Sequence, residues 1–431
     1  MKVLLVNPPN SGRSIPEEKY GIDSMRRIFV GEPLGLEVLA AHLGGHEVGI
    51  LDLKAEPEGW ERGFEDFGPD LVAFTAMTCE TNSVLRLAGE VKKRGDIPVV
   101  VGGIHASNDP ESFNRPGIDY IVKGLGEAAL VGLVEGIDGG SPQEAVPGVA
   151  RVREDSGPLV FAKKEAGAPS RPDLPPRYDL VARHRGSYIL APLGLRMGFV
   201  ATAWGCPHRC VFCCVPALTD GRYITRNPKA VVRDIGLLEG VPVIRLVDAN
   251  TFGDLHRARE LVSAVRASRI EKHYLADVRA DTVVKAPDLM REWREAGLRA
   301  VVIGFEEVAD ERLRAWGKGQ STKMYRRAID VLHEIGVTIV GDFIVSPDYE
   351  ESDFEALGRF VRETGIDLPI LSVLTPLPGT ALFEAMRNRI VIRDLDYYTL
   401  TNAVTPTRLP EEVFYRHYAD LVREFHAHPR I

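Results

Sequence analysis

The stretch Trp204-Gly205-Cys206-Pro207-His208-Arg209-Cys210-Val211-Phe212-Cys213-Cys214 decides how this chain is read. Its first three cysteines are spaced C-x3-C-x2-C. The 431 residues contain five cysteines, and four of them fall here. A disulfide framework spreads its cysteines through a fold. A tight cluster in a reducing compartment reads instead as metal-binding or catalytic. Three thiolates from one loop can hold three irons of a cubane [4Fe–4S] cluster and leave the fourth iron open. Cys206, Cys210 and Cys213 are the candidate ligands. Cys214 makes a C-x3-C-x3-C spacing available as well. Adjacent residues of an extended loop point opposite ways, so Cys213 and Cys214 are not expected to ligate together. Two other readings remain at this point: a zinc site built from all four cysteines, and inert cysteines. Zinc more often takes paired C-x2-C knuckles or added histidines. The fifth cysteine, Cys79, stands alone and reads as packing.

Downstream of this loop the chain repeats a strand–helix alternation. Strands are expected at residues 199–203, 243–247, 273–276, 300–305, 338–344 and 370–374. Amphipathic segments at 228–238, 255–267, 287–296 and 323–335 lie between them. Six such units over residues 193–375 predict a partial (β/α)6 barrel. Barrel sites lie at the carboxyl ends of the strands, and the cysteine loop follows the first strand at that face. Residues 376–431 form a C-terminal extension, with a helix expected over 410–424.

Upstream, residues 1–140 read as a separate α/β unit. Short apolar strands at 3–6, 48–53, 71–75, 99–101 and 120–122 alternate with helical segments such as 34–43 and 83–93. This pattern predicts a doubly wound parallel sheet. Ligands of such sheets sit at the carboxyl ends of strands. Gly102, Gly103, Gly124 and Gly126 fall there and would let the backbone approach a ligand closely. The plainer reading is that they only make tight turns. Residues 141–192 read as a linker, and the Pro-dense stretch 166–176 should be extended and surface-lying.

Composition narrows the function. Apolar residues are 45% and charged residues 26%, so a sizeable core is possible. A net charge of -8 argues against a general nucleic-acid binder. The start MKVLLVNPP is too short in its apolar part for a secretory signal, and no run approaches a membrane span. A cytoplasmic protein is expected.

The C-x3-C-x2-C loop after a barrel's first strand, with Phe212 before the third cysteine, resembles the radical SAM superfamily. The preceding α/β unit is similar to the cobalamin-binding domain of one large subgroup. Glu32-Pro-Leu-Gly-Leu-Glu37, Val101-Gly-Gly-Ile-His-Ala106, Lys123-Gly-Leu-Gly-Glu127, Thr375-Pro-Leu-Pro-Gly-Thr380 and Asn402-Ala-Val-Thr-Pro-Thr-Arg-Leu-Pro410 resemble the hopanoid C-3 methylase-like branch. The resemblance implies a [4Fe–4S] cluster, S-adenosylmethionine (SAM) on its open iron, and cobalamin. It implies roles for single residues too. Phe212 belongs to the cofactor loop. Asp248 and Asn250 would meet the SAM amino group. Arg279 would pair with the SAM carboxylate as a bidentate fork. Glu306, in Gly304-Phe-Glu306, would accept from ribose or substrate, with Lys318 following. The turn at 344–347 would approach the adenine. Arg279 and Glu306 are the catalytic candidates. The ordinary alternatives are a helix cap for Asp248 and a surface ion pair for Arg279. His208 faces either cluster or solvent. Trp204, Phe252, Trp293 and Trp316 line a pocket or pack a core.

The implied activity is reductive cleavage of SAM to a 5'-deoxyadenosyl radical that attacks an unactivated carbon of a small molecule. C-methylation with cobalamin is the leading expectation. The alternative is a cobalamin-independent dehydratase, epimerase or cyclase with a vestigial corrin domain, as in aminoglycoside dehydratases. A non-enzymatic metal or redox sensor is the reading from another class. An electron donor such as flavodoxin or ferredoxin is the implied partner. The familiar cobalamin motif Asp-x-His-x-x-Gly is missing, and His46 and His105 lack its context.

Overall fold

The structure is a computed structural model. It describes residues 1–22, 30–140, 146–153, 157–162, 172–190 and 195–427. Residues 166–171 of the Pro-dense stretch fall outside them. The chain divides into two units. The first takes Met1–Gly12, Phe29–Arg196 and Cys214–Asp220; the second takes Arg13–Ile28, Met197–Cys213 and Gly221–Ile431.

In the first unit Val3, Leu4, Leu5 and Val6 are all buried. Four consecutive buried residues require a strand covered on both faces. This strand, β1 (Lys2–Asn7), lies inside a six-stranded sheet. Its partners are β2 (Glu47–Asp52), β3 (Leu71–Thr75), β4 (Val99–Gly102), β5 (Tyr120–Val122) and β6 (Val149–Arg151), in the order β2-β1-β3-β4-β5-β6. The first five pair in parallel, as the apolar runs predict. β6 is antiparallel to β5 and comes from the segment read as linker. That segment departs from the expectation again at residues 178–190. Tyr178, Val181 and Tyr188 are buried there. The Tyr188 hydroxyl donates to Asp52 at 2.9 Å. Large aromatic surface drives such a segment onto the sheet, at about 1.5–3 kcal/mol per buried side chain.

The second unit holds the parallel strands β8 (Leu195–Val200), β11 (Val243–Leu246), β12 (His273–Asp277), β13 (Leu298–Glu306), β14 (Thr338–Val345) and β15 (Leu368–Val373). They run β15-β14-β13-β12-β11-β8, and β15 does not close on β8, so the barrel is partial. The short β7 (Ile189–Leu190) pairs antiparallel with the start of β8. Phe305 and Phe343 stack at 5.5 Å and meet Tyr325 and Phe360 from the helices Thr322–Glu334 and Glu351–Thr364. Alternation along β13 and β14 therefore turns Gly304, Glu306 and Asp342 to the opposite, concave face. The first predicted strand ends earlier than expected, at Val200. Ala203–Trp204 form a separate strand, β9, antiparallel to β10 (Ile224–Thr225).

Candidate cluster and cofactor site

The cysteine loop is held by its backbone. The Val211 N–H donates to the Trp316 carbonyl at 3.1 Å, and the Val211 carbonyl accepts from Leu382 at 2.9 Å. The Cys213 N–H donates to the Cys210 carbonyl at 3.1 Å. Phe212 is half-buried and sits edge-on to Trp316 at 6.0 Å. Phe212 thus anchors the loop by packing against Leu374, Leu382 and Met386. The carbonyl of Cys214 accepts from Asn108 at 3.0 Å within the first unit. Burial pushes the Cys214 thiol up.

Charge gathers beside this loop. Arg279 is 8% exposed and makes a fork to Asp281 at 3.0 and 3.2 Å. It also donates to the Lys318 carbonyl at 2.9 Å. Lys318 is buried and pairs with Glu306 at 2.7 Å. Arg279 is therefore an internal ion pair and not a surface one. Burial pushes the Cys206 thiol up, while the Arg279 and Lys318 charges pull it down. The same three groups, Arg279, Asp281 and Lys318, act on His208, so His208 faces this charged wall. Glu306 has a φ of 66° and follows a register shift after Gly304. A left-handed glutamate is strained, and such strain concentrates at functional sites. Gly304 leaves the space into which the Glu306 carboxylate folds toward Lys318.

Asp248 takes a different place from the one expected. It is 3% exposed, and both oxygens are engaged. Oδ1 accepts from the N–H groups of Thr202 at 2.6 Å and Ala203 at 2.8 Å; Oδ2 accepts from the Thr202 hydroxyl at 2.6 Å. It caps the turn between β8 and β9 and so aims the chain into the cysteine loop. Asn250 is the opposite case. It is 1% exposed, and neither amide atom has a partner among the described residues. Gln320 donates to Asp281 at 2.6 Å, but its oxygen is buried and unpartnered.

Arg245 and Asp342 were not singled out in the sequence. Arg245 pairs with Asp277 at 2.5 Å on the concave face. Asp342 stands across the ladder from Gly304. Burial and the nearby Glu306 and Asp277 carboxylates raise its carboxyl to about 8, against the pull of Arg245 and Lys318. A lone Asp in an apolar strand run, Thr338–Val345, was the only available signal. Three of the four aromatics resolve as core: Phe252 and Trp293 pack at 5.3 Å, with Tyr274 beside them, and Trp316 joins Leu374, Leu382 and Met386. Trp316 packs on Phe212.

In the first unit the glycine loops meet at the helix Gly103–Asn108. Gly103 has a φ of 92°, and a Cβ there would lie 2.5 Å from the Thr75 hydroxyl. Gly126 has a φ of 90°, with Leu39 at 3.3 Å from its would-be Cβ. These two serve close packing and turns. The Ser107 hydroxyl donates to the Gly103 carbonyl at 2.8 Å and accepts from the Gly124 N–H at 3.0 Å, so it ties the loops together. Gly102 keeps ordinary contacts, the nearest at 3.6 Å. His105 is 1% exposed. Its Nδ1 lies 3.2 Å from the Thr78 hydroxyl, and its Nε2 has no partner among the described residues. Burial lowers it to about 4, so it is neutral.

These residues can be tested against the expected groups. Among the described residues no three or more His, Cys, Asp or Glu side chains are arranged for a single metal ion. A cubane places each thiolate on a different iron, which is a wider arrangement. The donor set of three thiols, with buried cations beside it and the open Asn250 amide, fits a cluster and a polar ligand. The open His105 nitrogen at the carboxyl ends of β3 and β4 fits a polar group of a bound cofactor.

Comparison with known proteins agrees with both units. The B12 binding domain family matches residues 27–134, and the Radical SAM superfamily matches residues 202–361. The chain is therefore a radical SAM enzyme that carries a B12-binding domain. It is 27% identical over 393 residues to the hopanoid C-3 methylase of Methylococcus capsulatus, covering 89% of this chain and 74% of that protein. It is 30% identical over 362 residues to the anaerobic magnesium-protoporphyrin IX monomethyl ester cyclase of Cereibacter sphaeroides, covering 80% of this chain and 57% of that one. Its fold resembles the radical SAM methyltransferase TsrM of Kitasatospora setae, solved with cobalamin and a [4Fe–4S] cluster. The TM-score is 0.72 at 20% identity, over 97% of this chain and 85% of that one.

Proposed function

We propose that this enzyme transfers a methyl group from SAM to an unactivated carbon of a small molecule, with cobalamin as carrier. The observation that carries the reading is the buried Asn250 amide, without a partner among the described residues, on a loop tied by Tyr223, whose phenol is also influenced by Cys206, the thiol beside Arg279 and Lys318. When bound, the cluster supplies the electron that breaks the SAM carbon–sulfur bond, and cobalamin supplies the methyl group. In this reading Cys206, Cys210 and Cys213 hold the cluster. Asn250 offers both donor and acceptor to the polar end of SAM. Arg279, already oriented by Asp281, presents its remaining N–H groups to a carboxylate. Glu306, held by Lys318, accepts from a hydroxyl. Asp248 keeps the thiol loop aimed, and Phe212 keeps it packed. Residues 1–140 would hold the corrin, with Gly102 and the open His105 nitrogen among the residues that would meet it, and residues 193–375 would hold the cluster and SAM. A small reduced electron-transfer protein, flavodoxin or ferredoxin, is the natural donor. No helix among the described residues is long and apolar enough to cross a membrane.

The test uses the full chain, expressed with cobalamin and reconstituted anaerobically with iron and sulfide. With SAM and dithionite it should form 5'-deoxyadenosine or methylated product, and corrin absorption should copurify. Methyl-labelled SAM in cells with and without the gene identifies the acceptor. Turnover by corrin-free protein would move the assignment to a cobalamin-independent reaction.

A further inference from the structure

Tyr223 reaches both loops of the cluster site. It directly precedes β10, in which Ile224 lies opposite Trp204 of β9. The chain therefore leaves this ribbon at Tyr223 on the side where it leaves toward Gly205 and Cys206. Cys206 and Asp248 both act on its phenol. The hydroxyl donates to the Asn250 carbonyl at 2.9 Å, with the Thr251 carbonyl at 3.2 Å. It accepts from the Gly253 N–H at 3.2 Å. One oxygen thus fixes three successive parts of the loop after β11. The ring lies against Gly253, where a Cβ would come within 2.9 Å of Tyr223 Cζ and 3.2 Å of Asn250 Nδ2. The loop so fixed carries the buried amide that has no partner among the described residues.

We infer that Tyr223 is a positioning residue whose hydroxyl sets the Asn250 amide in the orientation that binds a polar group of SAM. This rests on the reading of Asn250 given above. Burial keeps the phenol protonated, so it serves as a donor across the working pH range. Leaving a backbone amide and a carbonyl unpaired in a buried loop would let the Asn250 side chain turn away.

The experiment measures SAM affinity by equilibrium dialysis on the reconstituted, full-length enzyme, with iron counted per chain. Tyr223→Phe should weaken SAM binding about tenfold and leave iron content unchanged. Asn250→Ala should weaken it at least as much. The double variant should bind no worse than Asn250→Ala alone, because both changes remove one interaction. The electron-resonance change of the reduced cluster on SAM addition should shift to higher SAM in step. Gly253→Ala offers a second route if Tyr223→Phe folds poorly. Gly253 has no left-handed backbone, so Ala displaces the ring while the hydroxyl remains. It too should weaken SAM binding. Unchanged SAM affinity in Tyr223→Phe or Gly253→Ala, or full additivity with Asn250→Ala, overturns the inference and leaves the Asn250 reading standing. Normal SAM binding by Asn250→Ala overturns both.

Discussion

Single residues set the chemistry here through their surroundings. Cys213 and Cys214 are neighbours in sequence but fall in different units, and the carbonyl of Cys214 is tied to Asn108. Cys206→Ala, Cys210→Ala and Cys213→Ala should each lose the cluster, whereas Cys214→Ala should keep it. Iron and sulfide content with the visible spectrum checks this, and loss in Cys214→Ala sinks the ligand assignment. Asp342 gives a pH signature. Burial raises its carboxyl from the ordinary 3.8 to about 8 in the fold. Between those values the folded chain keeps a proton that the unfolded chain has lost. Stability from this group is full at low pH and falls as pH rises through that window. Asp342→Asn should therefore gain stability relative to the parent between pH 5 and 8, seen in denaturant midpoints. A pH-independent difference would show that Asp342 does not hold the proton.

At the scale of elements, the turn between β8 and β9 aims the thiol loop. Three hydrogen bonds to one buried carboxylate hold it. Asp248→Asn keeps the shape but removes the charge that the Thr202 and Ala203 N–H groups donate to, and sets an N–H₂ against the Thr202 hydroxyl, which must turn to accept. Hydrogen bonds to charged groups contribute about 1.5–3 kcal/mol, so this variant should unfold earlier and incorporate less iron. Thermal melting and iron analysis report both. In the first unit the packing of β4 against β3 admits no side chain at residue 103. Gly103→Ala meets the Thr75 hydroxyl and takes up a positive φ, so it should cost stability and cobalamin retention together. Normal corrin binding by this variant would exclude these loops as its seat.

On the scale of the whole molecule, the chain crosses between its units more than once. The helix Ile15–Tyr20 belongs to the second unit. Asn402 receives it: its oxygen accepts from the Ile15 N–H at 2.7 Å, and its nitrogen donates to the carbonyls of Arg13 at 2.8 Å and Tyr397 at 2.6 Å. Asn402 is fully buried. Asn402→Ala strips partners from several buried groups and should cost about 2–4 kcal/mol in urea unfolding. A fragment starting at residue 193 should melt lower for the same reason, and a peptide of residues 13–22 should restore part of the loss. A fragment as stable as the full chain would show that the N-terminal helix is incidental.

The sequence by itself determined the two α/β units, nearly all their strands, and the three-thiol loop. Each rests on local signals: apolar runs, helical periodicity and cysteine spacing, which need no distant partner to be read. It also put Asn250, Arg279 and Glu306 at or just past the carboxyl ends of strands. Tertiary structure alone decided what those side chains do. Asp248 lies beside Asn250 in sequence, yet one carboxylate is consumed by a turn 46 residues away and the neighbouring amide is left open. Tyr223 gave no local pattern and Asp342 only a lone charge in an apolar run, because strand register and the β9–β10 ribbon bring them to the site. The segment read as linker became β6 and a buried aromatic wall, since its apolar surface finds cover only once the first sheet exists.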